Sequence, residues 1–488
     1  MSKFLLPFLC CVLSFQASMA QSDLKWSSIF RKINDEVQAN SRAYVTLKEA
    51  TQTIGHRLTG SENGKRAEEY AYKLLRSYGY EVKFQPFEVE SWSRGSISTK
   101  VGTGADLGEI KSVSLAHSPV KADINGELVD MGNGLEEDYQ ANAERIKGKV
   151  ALVYLGILPG SKAGLKNLHR SEKTALAIRY GAIGIVIFNT VPNGVLLTGT
   201  ASVTGKLISI PAICIGLEDG MKLKERLKSE AVRGAISMTN FSGLIKARNV
   251  IATLKGKEMP NEKIVVGGHL DSWDLATGAI DNGIGSFSIL DMARTFSVLQ
   301  LHPKRSIEFV MFMGEEQGLL GSKAYVEKAA REGSIDRIRY MLNYDMTNDP
   351  KGFGSTNAAS RELFESIGNL ASTIDSSFKN TFSAGAGLHS DHQPFMLEGI
   401  PTGGAGGGKL PNNSGRCYHA DCDAFDLVDE QGMKNTVRFN SMLIYGLADS
   451  NKIKAQRRTN EETRDFLLKN NLREPLEIAG EWRWNDAK

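Results

Sequence analysis

Three apolar runs in this 488-residue chain end on residues that bind metals or move protons. Val265-Val266-Gly267-Gly268 leads into His269-Leu270-Asp271, the run from Phe309 to Gly314 leads into Glu315-Glu316, and the run from Tyr340 to Tyr344 leads into Asp345. Two further donors sit in marked turns: Asp281 in Ala279-Ile280-Asp281-Asn282-Gly283, and His419 between Cys417 and Cys422. Imidazole and carboxylate donors suit zinc. His269, Asp281, Glu316, Asp345 and His419 exceed the three side chains that a single catalytic zinc takes from its protein, whereas two Zn²⁺ sharing one carboxylate use the whole set. The expected arrangement is one Zn²⁺ on His269, Asp281 and Asp345, and a second on Asp281, Glu316 and His419. Hydrolysis at such a centre also needs a group that takes a proton from water and returns one to the leaving group. Glu315, adjacent to a ligand and left over by the count, is the candidate general base and acid. Asp271, two positions past His269, is placed to accept the second imidazole N–H and fix its tautomer.

The elements that must position these residues alternate along the chain. Strand-length apolar runs are separated by helical segments at 286–298 and 361–371, the pattern of an α/β three-layer sandwich on a mixed, largely parallel sheet. In such sheets, sites form outside the carboxyl ends of the strands, so donors far apart in sequence converge there. Upstream, apolar residues recur at helical spacing over 67–78, and 80–84 alternates at period two as an edge strand. Between 114 and 243 the character changes to short β-rich runs, 149–154 and 183–188, around a helix at 173–180. That block shows no residues arranged for chemistry and reads as an inserted domain. The expected division is a catalytic domain from 21–113 and 244–450, the insert at 114–243, and a tail over 451–488. The tail is polar as far as Trp482-Arg483-Trp484 and is expected to pack along the surface.

Residues 1–20 read as a cleaved secretory signal: Lys3, an apolar run from Phe4 to Leu13, then small residues at Ser18 and Ala20. The run is about half the ~20 residues needed to span a bilayer. A secreted or periplasmic protein with no membrane attachment after cleavage is expected. In that setting Cys417 and Cys422 can oxidise, while Cys214, between Ile213 and Ile215, is a core position.

His269-Leu270-Asp271-Ser272, Gly278-Ala279-Ile280-Asp281-Asn282-Gly283, the segment Gly314-Glu315-Glu316 through Ser322, Asn343-Tyr344-Asp345-Met346 and Tyr418-His419 resemble the ordered motifs of the co-catalytic di-zinc exopeptidases. That family includes secreted aminopeptidases, glutamate carboxypeptidases and carboxypeptidase Q. Gly55-His56-Arg57-Leu58-Thr59-Gly60-Ser61 resembles its N-terminal motif. Gly181-Ala182-Ile183-Gly184 and Ile210-Pro211-Ala212-Ile213 resemble the protease-associated domain that many members carry, a β-rich insert implied to govern substrate access. The resemblance implies hydrolysis of terminal peptide bonds, with a peptide as the substrate partner and a homodimer as an open assembly state. Which peptide end is held stays undecided.

Other function classes fit poorly. Lys and Arg total 59 against 56 Asp and Glu, a net charge of +3 with no basic stripe, which gives no case for nucleic acid. No Gly-x-Ser-x-Gly elbow occurs, and Gly199 to Lys206 lacks the spacing of a phosphate loop. Gly403 to Gly408 reads as a flexible loop near the site; His389-Ser390-Asp391-His392 is a second candidate cluster, but with the ligand set already full Asp391 and His392 read as groups that wall the site or support its ligands. An inactive receptor on the same scaffold is the alternative, but such a chain should have lost ligands.

Overall fold

The computed structural model describes residues 24–484, so the expected signal over 1–20 lies outside the described residues. In chain order the strands are β1 (Glu81–Thr103), β2 (Asp106–Glu109), β3 (Ser112–Ser114), β4 (Lys121–Asp130), β5 (Val150–Tyr154), β6 (Gly184–Phe188) and β7 (Ala212–Ile215). They continue as β8 (Val232–Leu254), β9 (Met259–His269), β10 (Arg305–Phe312), β11 (Ile338–Asn343), β12 (Gly352–Ser355), β13 (Thr381–Ser383) and β14 (Thr402–Gly406). At the centre of the catalytic sheet, β14, β11, β9 and β10 lie side by side and parallel. Antiparallel neighbours flank them: β12 beside β14, and β8 beside β10.

Period-two alternation buries both faces of this sheet. Ile264 and Val266 of β9, Phe309 and Met311 of β10, and Leu342 of β11 share one core with Phe30, Leu47, Ala71, Leu290 and Met442. Those five come from the helices 24–40, Ala43–Thr53, Glu62–Ser77, Ile284–Val298 and Glu430–Asp449. Val265, Val310, Phe312 and Met341 point the other way, onto Tyr325, Val326 and Phe395 of the helices Leu320–Arg331 and His392–Leu397. This is the expected three-layer α/β sandwich. One expectation fails here: Gly403 to Gly406 is strand rather than flexible loop. The glycines are needed because the neighbouring backbones come close; a Cβ on Gly403 would lie 2.5 Å from the Gly354 carbonyl oxygen, and one on Gly404 2.7 Å from that of Asn343.

The insert is a second sheet in the order β8-β4-β5-β6-β7-β3. Val153, Ile187 and Cys214 pack on one face with Leu176 of the helix Arg170–Arg179; Leu152, Phe188 and Ile213 pack on the other with Leu223 of the helix Leu217–Arg226. Cys214 is free and buried. The two sheets meet in a ribbon. β1 and β8 pair antiparallel from Glu81 opposite Thr253 to Thr103 opposite Val232, with β10 beside the late part of β8 and β4 beside its early part. The edge strand read at 80–84 is therefore the start of a 23-residue strand. It runs through Pro86, which is exposed and paired on a sheet edge, where a missing N–H costs no ladder bond.

The tail lies on the surface, where most of its residues are exposed or half-buried, and is anchored there: its helices Asn460–Lys469 and Arg473–Ile478 bury Leu467 and Leu476 in one cluster with Met396 and Trp484, and Ile478 enters a core of the insert. Widely spaced single apolar residues do this work, so the stretch reads as polar by composition.

Candidate metal centre

Register brings the strand-end donors together. Phe312 of β10 lies opposite His269 of β9, Asn343 of β11 lies opposite Gly267, and the ladder continues through Leu270 N–H to Phe312 O (2.7 Å) and Tyr344 N–H to Gly267 O (2.9 Å). The three carboxyl ends are thus flush, and His269, Glu315, Glu316 and Asp345 leave the sheet along one line.

The turn carrying Asp281 is held from outside. The Asp423 carboxylate accepts the backbone N–H groups of Ile280 (2.7 Å) and Asp281 (3.0 Å). Asn282, wholly buried, donates to the carbonyls of Tyr344 (2.9 Å) and His269 (3.3 Å) and accepts from Met346 N–H (2.9 Å). One amide therefore ties the loops after β9 and β11. Gly278 begins the turn at φ 60°, and a Cβ there would lie 2.2 Å from the Cβ of Ser272. Arg57, from the motif noticed near the N-terminus, is also wholly buried and donates to the carbonyls of Leu270, Thr277 (2.7 Å) and Gly278 (2.9 Å). Thr59 accepts Gly314 N–H at 2.7 Å, fixing the strand end before Glu315. Ser390 donates to Asp345 (2.7 Å) and accepts from the Asn343 amide (2.7 Å).

The donors meet. His269 Nε2 lies 3.3 Å from Asp281 Oδ1 and 3.3 Å from Asp345 Oδ1, while His419 Nε2 lies 3.0 Å from Asp281 Oδ2 and 3.1 Å from Glu316 Oε2. Asp281 thus offers a separate oxygen to each imidazole. Donor atoms of His269, Asp281 and Glu316 fall within 4.8 Å of one another, and so do those of His269, Glu315 and Asp345. Glu315 Oε2 stands 4.0 Å from His269 Nε2. For Asp271, the nearer acceptor to His269 Nδ1 is its own backbone carbonyl at 3.1 Å, and its carboxylate is 3.7 Å away. The Asp271 carboxylate instead takes the Glu315 N–H at 3.4 Å.

The electrostatics are those of a site short of positive charge. Burial, reinforced by Asp345, Glu316 and Asp391 against the pull of His269, pushes the Glu315 carboxyl well above the ordinary range. Burial, with Asp281 adding to it, also raises Glu316. Burial opposes charge on His269 and His419, yet the surrounding carboxylates raise both imidazoles above their usual value. Asp281, buried but between those two rings, is held below the carboxylate range. Glu316 Oε1 and His419 Nδ1 have no hydrogen-bond partner among the described residues. Buried imidazoles and carboxylates that crowd together in this way, with donor atoms to spare, fit divalent cations.

The cleft above the donors is walled by more than the catalytic sheet. Its lining includes Tyr418, Arg170 and Glu172 of the insert, His389, and Pro475 and Leu476 of the tail. The block that showed no residues arranged for chemistry therefore supplies polar groups to the cleft, from the first turn of its helix Arg170–Arg179. Thr198 N–H of the insert bonds to the His419 carbonyl at 2.9 Å, and Leu197 forms an antiparallel bridge with Ala420. The His419 loop is closed by the Cys417–Cys422 disulfide. Arg57, Asn282, Asp423 and Ser390 are the site residues whose roles sequence reasoning missed; for Arg57, Asn282 and Ser390 the motifs they sit in carried a signal, and for Asp423 none did.

Comparison with known proteins gives matches for both modules. A model described as Peptidase family M28 matches residues 249–444, which contain all five candidate metal ligands, and one described as PA domain matches residues 124–223. Aminopeptidase YwaD of Bacillus subtilis (strain 168) is 30% identical over 366 residues, 73% of this chain and 73% of that protein. Carboxypeptidase Q of Xenopus laevis is 26% identical over 436 residues, 84% of this chain and 87% of that one. The solved aminopeptidase from Aneurinibacillus sp. strain AM-1 superposes with a TM-score of 0.66 at 25% identity, covering 88% of this chain and 98% of its own. On the strength of these matches, this chain belongs to peptidase family M28 and carries a PA domain as an insert.

Proposed function

We propose that the mature chain, exported to a secreted or periplasmic location, is a di-zinc exopeptidase acting on short peptides. Residues 114–243 serve as its insert, and 21–113 with 244–450 as its catalytic domain. The observation that carries this reading is Asp281, whose two oxygens face two different imidazoles at 3.3 and 3.0 Å. His269 and Asp345 complete one Zn²⁺ site with Asp281, and Glu316 and His419 complete the other. When bound, the zinc ions supply Lewis acidity toward the scissile carbonyl and make water easier to deprotonate. Glu315 takes the proton of the attacking water and returns it to the leaving amine, standing 4.0 Å from His269 Nε2 without being needed as a ligand. Asp271, bonded to the Glu315 backbone, positions it and lies beside His269.

Arg170 favours a free substrate carboxylate, and so a carboxypeptidase or dipeptidase over an aminopeptidase. Its side chain is buried at the cleft wall, makes no ion pair among the described residues, and leaves Nε without a partner.

Two measurements test the proposal. Glu315→Gln should keep both zinc ions by elemental analysis yet lose at least ~100-fold in turnover, the scale of general acid–base groups. Near-normal turnover removes Glu315 from the role, and absence of stoichiometric zinc in the wild-type protein favours the inactive receptor. Free dipeptides should then be cleaved and C-blocked ones spared, with cleavage of N-blocked dipeptides marking a carboxypeptidase and their sparing a dipeptidase. Cleavage of free and C-blocked peptides with N-blocked ones spared would reverse the assignment of the terminus.

A further inference from the structure

A second cavity, of about 460 Å³, adjoins the metal cleft and shares Glu172, Leu388, His389 and Pro475 with its wall. That volume is within the range of ligand sites, roughly 300–1,000 Å³. Its lining joins buried aliphatic surface from Leu135, Leu168 and Leu472 to a carboxylate rim of Glu137 and Glu474. Acidic groups at a rim are ordinary; the informative group is Glu172. Its residue is 1% exposed, Oε2 accepts the His169 backbone N–H at 2.7 Å, and Oε1 has no hydrogen-bond partner among the described residues.

The cations nearby do not satisfy that oxygen. His389 Nε2 is 3.5 Å away, but burial and Arg170 push its imidazole down to about 4, so the ring is neutral. Lys173 spends its ammonium on the carbonyls of Tyr154, Leu155 and Gly156. Lys323 is paired with Glu481 at 2.6 Å, and Lys166 donates to the Asn471 carbonyl. Burial, with Glu474 and Glu481 adding to it, lifts the Glu172 carboxyl to about 7, a penalty that a bound cation removes.

We propose that this chamber is a subsite for a basic side chain, lysyl or arginyl, of the peptide whose terminal bond lies over the metal centre. The aliphatic stem lies on the leucines and the cationic head reaches Glu172 and Glu474, the division between stem and head that long basic side chains favour. The inference rests on the peptidase reading and adds the class of side chain selected.

The test uses the zinc-loaded full chain and matched di- and tripeptides with lysine or its neutral isostere norleucine at each position. In at least one placement the lysyl peptide should be favoured by ~10-fold or more in kcat/KM, the scale of one charge-assisted hydrogen bond. The double variant Glu172→Gln, Glu474→Gln should bring that ratio below about threefold, since glutamine keeps the cap acceptor but loses the charge. Equal rates for lysyl and norleucyl peptides in every placement, or a ratio that survives both substitutions, overturns the subsite. Should no peptide be cleaved, the peptidase reading fails, and calorimetric titration with agmatine decides the subsite alone. Binding heat that the double variant abolishes supports it, and no heat with the wild type overturns it.

Discussion

Replacing Asn282 by alanine is the sharpest probe of how the metal loops are held. The side chain is wholly buried and makes two good hydrogen bonds at 2.9 Å, to Tyr344 O and from Met346 N–H, and a longer one at 3.3 Å to His269 O. Truncation leaves two backbone groups without a partner where water does not reach, at about 1–3 kcal/mol each, so roughly 2–6 kcal/mol of stability should go. Against a usual total of about 5–15 kcal/mol this is a large share of the stability. The same amide binds the loops of His269 and Asp345, so zinc affinity should drop by ~10–100-fold, the range seen when groups supporting metal ligands are removed. Urea unfolding gives the first quantity, and competition with a calibrated chelator gives the second. If the unfolding midpoint and the zinc affinity both match the wild type, the bonds do not hold the loops and this account of the site is wrong.

Cys417→Ser with Cys422→Ser should cost about 2 kcal/mol in the chain-entropy treatment of so short a loop and make zinc easier to strip from the protein; chelator competition that does not change denies the disulfide that function. Leu476→Ala, in the cluster with Met396, Leu467 and Trp484, should destabilise by about 2–5 kcal/mol. A shift under 1 kcal/mol in the unfolding free energy would show that the tail is not a packed strap. His117 is buried beside Thr200 with its imidazole pushed down to about 4 by burial, against 6.5 in the unfolded chain. As pH falls from 6.5 to 4 the unfolded chain takes up a proton that the folded one refuses, so this residue erodes stability at about 1.4 kcal/mol per pH unit. The difference in unfolding free energy between wild type and His117→Gln should narrow in acid; a constant difference across that window would contradict the assignment.

The central strands and their terminal donors were legible because a parallel sheet buried on both faces leaves long apolar runs, and each run ends where polarity returns at His269, Glu315 and Asp345. The supports were not. Arg57 acts on carbonyls 213 to 221 positions away, and neither a backbone acceptor nor an uncharged amide such as Asn282 leaves a pattern in composition. The length of β1 was hidden by Pro86 and by its many exposed polar positions. Arg170 and Glu172 reach the cleft only because the insert folds back over the sheet, a juxtaposition that no local pattern encodes.

The bond from Thr198 N–H to the His419 carbonyl makes the insert a structural neighbour of the loop that carries this candidate ligand as well as a roof for the cleft. Transplanting a homologous roof from another member would therefore alter cation retention along with selectivity, unless the graft reproduced that single backbone contact and the bridge at Leu197 and Ala420 beside it.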